Sequence, residues 1–238
     1  MTSDKIEVAK RALLEGSVHV LNLFGKTKEE IGTEYKVGDG DTPRTLIDTH
    51  GERAILEVIR SNGEFSEDRF NAEESDAFGS GTRIWHIDPY DGTSNAQIRL
   101  GMSTMGIGIS EEGRLVASVI VNPFEREIFW ADRGEGAYVA ELLKEGCVGR
   151  LVEVNDRARK IHTETGTSAK ASYAWVDALF NTKTTERKTD WIRRMVEGGL
   201  VQNVRMTGSN IDYSAKLAEG RGHFQLTDAV GGYFDLCG

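Results

Sequence analysis

The acidic residues near the middle of the chain have the types and spacing of a metal-dependent phosphate site. Asp88 ends an apolar run in which a lone carboxylate would be costly to bury, and Asp91 follows it in the same turn. Pro89 cannot donate to a sheet ladder, so the chain leaves the sheet there and both carboxylates can share one ion. Gly92 and Thr93 then offer backbone amides and a hydroxyl at a helix start, which favours phosphate. Carboxylates beside phosphate require hard cations between them, and Mg²⁺ prefers such oxygen ligands.

Structural explanations are available for several of the acidic and polar candidates. Residues 73–76 (EESD) alone are typical of a solvated turn, whereas the acidic motif downstream favours a metal role for them. Asp48 can cap the helix that follows it, with or without a second role. Asp235 competes with Asp228 as a ligand, and Ser209 can be a helix cap, a substrate contact or both.

Residues 85–95 (WHIDPYDGTSN) resemble the signature of the inositol monophosphatase family. Residues 45–52 have the spacing of that family's T-x-x-D-x-x-x-E motif, and residues 72–75 (AEES) resemble its G-E-E-S motif. Three later motifs match in the same order, at residues 208–209 (GS), 217–221 (LAEGR) and 234–235 (FD). The resemblance covers the chain from about residue 45 to its C terminus.

The resemblance implies two or three Mg²⁺ ions held by oxygen ligands. One ion would be held by Glu73, Asp88 and the main-chain carbonyl of Tyr90. A second ion would be held by Asp88, Asp91 and Asp235. Lithium would inhibit at the second position, because it can occupy a Mg²⁺ site but delivers half the charge.

The resemblance also implies direct hydrolysis without a phosphoenzyme. The attacking water, whose pKa falls on the metal, would be positioned by Thr93, Asp48 and Glu73. Contacts with phosphate and substrate would come from backbone and hydroxyl groups of six residues: Gly92, Thr93, Ser94, Gly208, Ser209 and Asn210.

Four departures from the family pattern bear on the substrate and on the end of the chain. Ala72 stands where the family has glycine, and Phe234 replaces a tryptophan. Residues 225–227 (QLT) contain no clear counterpart of the family's substrate-facing glutamate, so the sequence leaves the substrate open. The chain ends at Gly238, whereas relatives continue through a further strand and helix.

The predicted function is Mg²⁺-dependent hydrolysis of a small phosphate monoester, namely inositol monophosphate or a related polyol or sugar phosphate. Fructose-1,6-bisphosphatase-type or other sugar phosphatase activity is the alternative within the same chemistry. A nucleotide 3′-phosphatase is less favoured, because Ser94 and Asn95 stand where those relatives carry lysine and glutamate. A non-catalytic metal-binding scaffold is the alternative of a different class. The resemblance further implies a homodimer.

Composition and charge exclude several other classes of function. The 238 residues carry a formal net charge of −9, which argues against broad nucleic-acid binding. No apolar run approaches the roughly 20 residues of a membrane span. The two cysteines, Cys147 and Cys237, form no disulfide framework, and the five histidines have no zinc-ligand spacing. These features predict a cytoplasmic protein that binds neither membrane nor nucleic acid.

Periodicity in the first third of the chain predicts two helices that precede the acidic motifs. Apolar residues recur at helical spacing across residues 4–31, with Gly16 as a possible kink. Residues 36–43 read as an exposed loop, and a second helix is predicted to follow Asp48 or Thr49. Residues 83–87 predict a strand that delivers the chain to Asp88.

The remainder of the chain predicts strands first and then strands alternating with helices. Residues 102–110, 115–122 and 127–132 predict an antiparallel meander. A strand at 174–179 and a helix at 190–197 follow, and a last helix has Ser209 as N-cap and Gly220 at its C-terminal end.

This order predicts an α+β protein, and the resemblance implies a layered α/β/α/β/α sandwich of the inositol monophosphatase and sugar phosphatase type. Residues 1–140 would form the N-terminal helices and the antiparallel sheet that carries the metal and phosphate motifs. Residues 141–238 would form a C-terminal α/β subdomain that stops soon after the last metal-ligand motif.

Overall fold

The computed structural model describes residues 3–35, 43–145, 150–153, 157–163, 173–176 and 185–226. The helices in these ranges are α1 (Asp4–Leu23), α2 (Leu46–Ser61), α3 (Thr93–Gln97), α4 (Thr185–Glu197) and α5 (Asn210–Ala218). The strands are β1 (Glu34–Tyr35), β2 (Pro43–Arg44), β3 (Arg69–Ala72), β4 (Arg83–Asp91), β5 (Thr104–Glu111), β6 (Arg114–Asn122), β7 (Glu127–Asp132), β8 (Gly136–Glu145), β9 (Arg150–Glu153), β10 (Arg159–Ile161), β11 (Tyr173–Val176), β12 (Asn203–Arg205) and β13 (Phe224–Leu226). All of the predicted 36–43 loop except Pro43 lies outside the described residues.

Helix α1 buries one face, as its apolar spacing predicts. It ends at Leu23, before the predicted limit of residue 31, because Phe24 adopts an extended backbone with ψ 136°. The helix runs unbroken through Gly16, where the sequence suggests a kink. A Cβ on Gly16 would lie 2.8 Å from Met105 Cε and 2.9 Å from Ile55 Cγ1. Gly16 therefore allows α1 to pack closely against α2 and the sheet.

Helix α2 begins at Leu46, earlier than predicted, because Thr45 is its N-cap. The Thr45 hydroxyl accepts from the Ile47 amide at 3.2 Å, and the Asp48 carboxylate accepts from the Thr45 amide at 2.6 Å. This is a capping box with aspartate in the position where glutamate or glutamine is usual. Asp48 therefore reaches back to the cap from inside the first turn.

The larger sheet has eight strands in the order β10-β8-β7-β6-β5-β4-β3, with β9 also paired to β8. Strands β5, β6 and β7 form the predicted antiparallel meander, and their bounds lie within two residues of the predicted ones. Among the described pairs of this sheet, only β3 and β4 run parallel. Parallel pairing places Ala72, the last residue of β3, beside Ile87 of β4.

Side chains of the larger sheet alternate between two cores. Val119 and Val121 of β6 pack in the core that contains α1 and α2, while Ile120 packs in the core that contains Ile211 and Ala215 of α5. Helices α1 and α2 therefore cover one face of the sheet, and α5 covers the other.

The smaller sheet has the order β12-β11-β13, and its strands are all parallel. On one face, Ala174 and Val176 pack with Met195 of α4. On the other face, Trp175 stacks on Tyr213 of α5 with ring centroids 5.2 Å apart. Helix α5 thus lies between the two sheets, and the layers follow the order α/β/α/β/α. This arrangement confirms the predicted fold class.

Several boundaries in the C-terminal part depart from the predicted ones or lie outside the description. Helix α4 begins at Thr185, and β11 begins at Tyr173, while residues 177–179 of the predicted strand are outside the described residues. Gly220 follows α5 with φ +82°, as expected for a glycine just past a helix end. Strand β8 passes through residue 140, and the division there remains a prediction.

Among the described helices, none combines the length and the apolar composition that crossing a bilayer requires.

Candidate active site

The ends of β3 and β4 bring two of the predicted metal ligands together. Ala72 pairs with Ile87 in the parallel register, and the Glu73 amide donates to the Ile87 carbonyl at 3.0 Å. Glu73 therefore leaves β3 beside Asp88, which is the next residue of β4. Asp88 is buried, whereas Glu73 is partly exposed at the edge of the sheet. The register of one strand pair thus explains why two motifs far apart in sequence meet.

Residues 88–93, which run from the last four residues of β4 to the first residue of α3, are called the β4 turn below. Strand β4 continues through Pro89 to Asp91, so the prediction that the chain leaves the sheet at Pro89 is wrong. The first carboxylate of the β4 turn, Asp88 Oδ1, accepts from the Tyr90 amide at 2.9 Å. The pairing register with β5 shifts between Asp88 and Asp91, and such an irregularity re-aims side chains at a sheet edge. The Tyr90 ring is fully buried, and burial raises the pKa of its phenol. Its carbonyl, the predicted ligand, accepts from Thr93 Oγ1 at 3.2 Å.

A buried hydrogen bond joins the β4 turn to the first turn of α2. Thr93 Oγ1 lies 2.8 Å from Asp48 Oδ1, and Thr45 donates to Asp48 Oδ2 through its amide and its hydroxyl, both at 2.6 Å. Burial raises the pKa of Asp48 to about 7, because these hydrogen bonds only partly offset the cost of desolvating the carboxylate. A carboxylate with a pKa near working pH can accept and return a proton. The pair therefore has the geometry and acidity of a proton relay.

The glutamate that ends the T-x-x-D-x-x-x-E spacing has a positioning role. Glu52 Oε2 accepts from the Glu74 amide at 2.7 Å, and Arg44 Nε lies 2.9 Å from the Glu74 carboxylate. Burial raises the pKa of Glu52, and the Glu74 carboxylate adds to this rise. Helix α2 thus fixes the turn on which Glu73 lies.

Gly92 is in the left-handed region with φ +97° and precedes α3 as its N-cap. A Cβ at this position would lie 2.9 Å from Ser103 Oγ and 3.1 Å from the Gly208 carbonyl oxygen. Both the backbone angle and the close contacts therefore require glycine. This contact also shows that two predicted phosphate-contact segments, at Gly92 and Gly208, face each other.

The second segment, residues 207–209, is called the α5 turn. Ser209 accepts from the Asp212 amide at 3.2 Å, so the predicted N-cap role is confirmed. The same hydroxyl donates to Asp91 Oδ2 at 2.5 Å, and the Ile211 amide donates to that oxygen at 2.8 Å. A carboxylate at a helix N-terminus is stabilised by the helix dipole. Asp91 therefore ties α5 to the end of β4.

The remaining residues that are predicted to contact the substrate lie in different surroundings. Ser94 is exposed on α3, and Asn210 begins α5 with its carbonyl accepting from Gln225 Nε2 at 3.3 Å. Gly208 has φ +87°, and its amide donates to Tyr213 Oη at 2.7 Å. The contacts that these residues would make with a substrate remain predictions.

Sequence reasoning gave no role to two residues that hold the two turns together. Asn95 Nδ2 donates to the Met102 carbonyl at 2.5 Å and to the Thr207 carbonyl at 2.7 Å. The position of Asn95 inside the signature was an available signal, but one of its partners, Thr207, lies more than 100 residues along the chain. Tyr213 offered no signal, because a tyrosine at helical spacing looks like any core residue in the sequence. Only the structure shows the hydrogen-bond partners of its hydroxyl.

The donor set at this edge fits Mg²⁺ in its chemistry. Glu73, Asp88 and Asp91 supply carboxylate oxygens, and the Tyr90 carbonyl adds a neutral oxygen, which is the ligand type that Mg²⁺ selects. Within the described ranges, no three His, Cys, Asp or Glu side chains are grouped closely enough to hold a metal. Asp235, the remaining predicted ligand, lies outside the described residues.

Comparison with known proteins agrees with this arrangement. Residues 4–238 match the inositol monophosphatase family. The chain is 33% identical over 158 residues to the fructose-1,6-bisphosphatase/inositol-1-monophosphatase of Aquifex aeolicus, an alignment that covers 66% of this chain and 55% of that protein. The matched region thus spans little more than half the length of this relative.

Solved structures share the fold over nearly the whole chain. The extragenic suppressor protein suhB from Bartonella henselae matches with a TM-score of 0.79 at 18% identity, covering 99% of this chain and 82% of that one. The Thermotoga maritima IMPase matches with a TM-score of 0.79 at 22% identity, covering 98% and 79%. The chain belongs to the inositol monophosphatase family.

Proposed function

We propose that this protein hydrolyses small phosphate monoesters with Mg²⁺, and that its substrate is inositol monophosphate or a related polyol or sugar phosphate. The observation that carries the proposal is the buried hydrogen bond between Thr93 and Asp48, placed beside the carboxylates at the ends of β3 and β4. The Asp48 carboxylate also completes the capping box of α2 through Thr45, but that cap does not require the bond from Thr93 to its other oxygen.

Residues of the β4 turn would bind the metal and the phosphate. Mg²⁺, held by Glu73, Asp88, Asp91, the Tyr90 carbonyl and Asp235, would supply positive charge at the phosphate oxygens and lower the pKa of a bound water. The Gly92 and Thr93 amides at the start of α3 would hold the phosphate and fix its orientation.

The chain's own proton transfer would run through two atoms. Thr93 Oγ1 donates to Asp48 Oδ1, so its lone pairs are left to accept a proton from the attacking water. The proton of the threonine hydroxyl would then pass to Asp48, whose burial makes protonation favourable near neutral pH. Glu73, which follows the end of β3, would orient the same water. No covalent phosphoenzyme is needed in this scheme.

Fructose-1,6-bisphosphatase-type activity is the second candidate within the same chemistry. The Aquifex relative carries both activities in its name, which supports testing both substrates. A non-catalytic metal-binding scaffold is the proposal of a different class, and the Thr93–Asp48 hydrogen bond counts against it because metal binding alone does not require it.

Phosphate release from a panel of esters tests the proposal. The panel comprises inositol monophosphate, fructose 1,6-bisphosphate, a sugar monophosphate and a nucleoside 3′-phosphate, each assayed with Mg²⁺ and after exhaustive chelation. We expect release that depends on Mg²⁺, is greatest for a polyol or sugar ester and is inhibited by lithium. Release that survives chelation would overturn the metal requirement, and a purified protein inactive on every ester would support the scaffold.

We further propose a homodimer located in the cytoplasm, on the strength of the family resemblance. Sedimentation of the purified protein tests the dimer directly, and a single monomeric species at micromolar concentration would contradict it.

A further inference from the structure

We infer that Tyr213 is a positioning residue whose hydroxyl fixes the α5 turn at the substrate site. This inference rests on the proposed function, because it assigns the α5 turn to one side of that site. Tyr213 is fully buried on α5, and its hydroxyl oxygen accepts from the amides of both Thr207 and Gly208, the latter at 2.7 Å. Helical side chains lean toward the N-terminus of their helix, so a tyrosine in the first turn of α5 reaches back over the preceding loop.

The two amides lie just before α5, where no intrahelical carbonyl is available to them. One phenolic oxygen can accept both, because it has two lone pairs. Asn95 holds the same segment from the other side, since its Nδ2 donates to the Thr207 carbonyl at 2.7 Å. Thr207 is therefore fixed at its amide and at its carbonyl by two side chains from different parts of the fold.

The position of this segment controls the spacing between the two turns. The Gly208 carbonyl oxygen lies 3.1 Å from the point where a Cβ on Gly92 would stand. If the α5 turn moved by even 1 Å, the proposed substrate contacts of Gly92 and Gly208 would shift relative to each other, while the Thr93–Asp48 hydrogen bond would be untouched. Tyr213 should therefore act on substrate binding more than on the proton relay.

Removal of the hydroxyl can be separated from loss of the ring. The Tyr213 ring stacks on Trp175, and Tyr213→Phe keeps that contact while deleting only the acceptor. Tyr138→Phe is a matched control, because it also removes one hydroxyl, which donates to the Glu135 carbonyl at 3.1 Å on the surface. Both variants keep an aromatic ring of the same size.

The experiment measures hydrogen exchange in metal-free protein and steady-state kinetics in Mg²⁺. In Tyr213→Phe, we expect the Thr207 and Gly208 amides to exchange about 10-fold faster or more, since each loses a hydrogen bond worth roughly a factor of ten. We expect KM for the phosphate ester to rise about 10-fold, with kcat changed much less, because misplaced contacts weaken binding. Tyr138→Phe should match the wild type in both measurements.

The outcomes separate this inference from the proposed function. A wild-type protein inactive on every phosphate ester would reject the proposed function and, with it, the placing of the α5 turn at a substrate site. An active wild type, with Tyr213→Phe equal to Tyr138→Phe in exchange and KM, would overturn the role of Tyr213 alone. If Tyr213→Phe does not fold, hydrogen exchange at the Thr207 and Gly208 amides of the wild type provides the test. Protection equal to that of amides within α5 supports the inference, and exchange at the rate of unprotected amides contradicts it.

Discussion

The β4 turn and the α5 turn lie in contact, yet they are held in different ways. Within the β4 turn, hydrogen bonds join residues two or three positions apart, such as the Tyr90 amide with Asp88 and Thr93 with the Tyr90 carbonyl. The α5 turn also has local bonds, from the Thr207 and Gly208 amides to Tyr213 and from the Asp212 amide to Ser209. It adds bonds to partners more than 100 residues away, namely Asn95 with Thr207 and Asp91 with Ser209. The α5 turn therefore depends more on the assembled fold than the β4 turn does.

Under the proposed function, the β4 turn carries the reacting groups, and the α5 turn holds the substrate contacts in position. A substitution in the β4 turn removes a proposed metal ligand or proton carrier while the surrounding sheet remains. Helix α5 lies between the two sheets, and a substitution in the α5 turn loosens its contact with the end of β4. Such a substitution should therefore lower the free energy of unfolding and weaken substrate binding together. The following substitutions test that distinction.

The largest loss is expected for Asp88→Asn, in the β4 turn. Asp88 is the proposed ligand of both ions, and an amide removes one negative charge from each site. We expect kcat to fall about 10³-fold or more, since the metals supply several kcal/mol of stabilisation in the transition state. Circular dichroism should show an intact fold. Asp132→Asn, which alters a carboxylate of β7 in the same sheet, is the control, and equal activity of the two variants would refute the assignment.

Gly92→Ala tests the contact between the two turns. An alanine there would be strained by φ +97° and would press on the Gly208 carbonyl oxygen at 3.1 Å. We expect kcat/KM to fall about 100-fold, as when reacting groups are displaced by about 1 Å. Gly113→Ala carries similar strain at φ +72° but has nothing within 4 Å of its new Cβ, so it isolates the backbone effect. Similar kinetics for the two variants would show that the contact does not matter.

Ser209→Ala should lower stability modestly. It removes the N-cap of α5 and the hydroxyl that donates to Asp91. Loss of such a cap reduces the free energy of unfolding by about 1 kcal/mol. Denaturant titration measures this, with Ser61→Ala, which deletes an exposed hydroxyl bonded to the Val58 carbonyl, as control. A fall in kcat/KM of more than about 10-fold would mean that Ser209 also acts at the site, by contact with the substrate or through Asp91.

The pKa of Asp48 predicts a gradual dependence of stability on pH. Its ordinary value of 3.8 is raised to about 7 in the folded protein, chiefly by burial. The folded state therefore binds the Asp48 proton more tightly than the unfolded state does. The stability that this proton contributes is full below about pH 4 and is lost as pH rises through about 7. Relative to Asp48→Asn, the free energy of unfolding should fall by at most about 1.4 kcal/mol per pH unit in that window. Both proteins are measured without metal, and parallel curves of unfolding free energy against pH for wild type and Asp48→Asn would contradict this prediction.

Sequence could predict the β4 turn because its geometry depends on neighbouring residues. Gly92 and the Thr45–Asp48 spacing each have a local physical meaning, whereas Pro89 misled because β4 continues through it to Asp91. The meander of β5 to β7 followed for the same reason. The start of α2 was misplaced because Asp48 bonds backward to Thr45, and a spacing of three residues fits a cap and a capping box equally well.

The α5 turn could be predicted only in outline. Ser209 was readable as an N-cap, but its bond to Asp91 depends on how the helix packs against the end of β4. Strands β3 and β8 through β10 were not predicted, although the register of β3 places Glu73 beside Asp88. Strands β3, β9 and β10 have only three or four residues and carry too little local pattern to be recognised. Strand β8 has ten residues and pairs with the neighbouring β7, and it was missed although β7 was predicted.

A double-mutant cycle on Asp48 and Thr93 tests the central claim most directly. We measure kcat/KM for wild type, Asp48→Asn, Thr93→Ala and the double variant on the best phosphate ester of the panel. If the two side chains form one proton relay, each single change should cost about 10²-fold or more, and the double variant should lose little beyond the larger single loss. Losses that multiply in the double variant would show that the residues act independently and would contradict the relay.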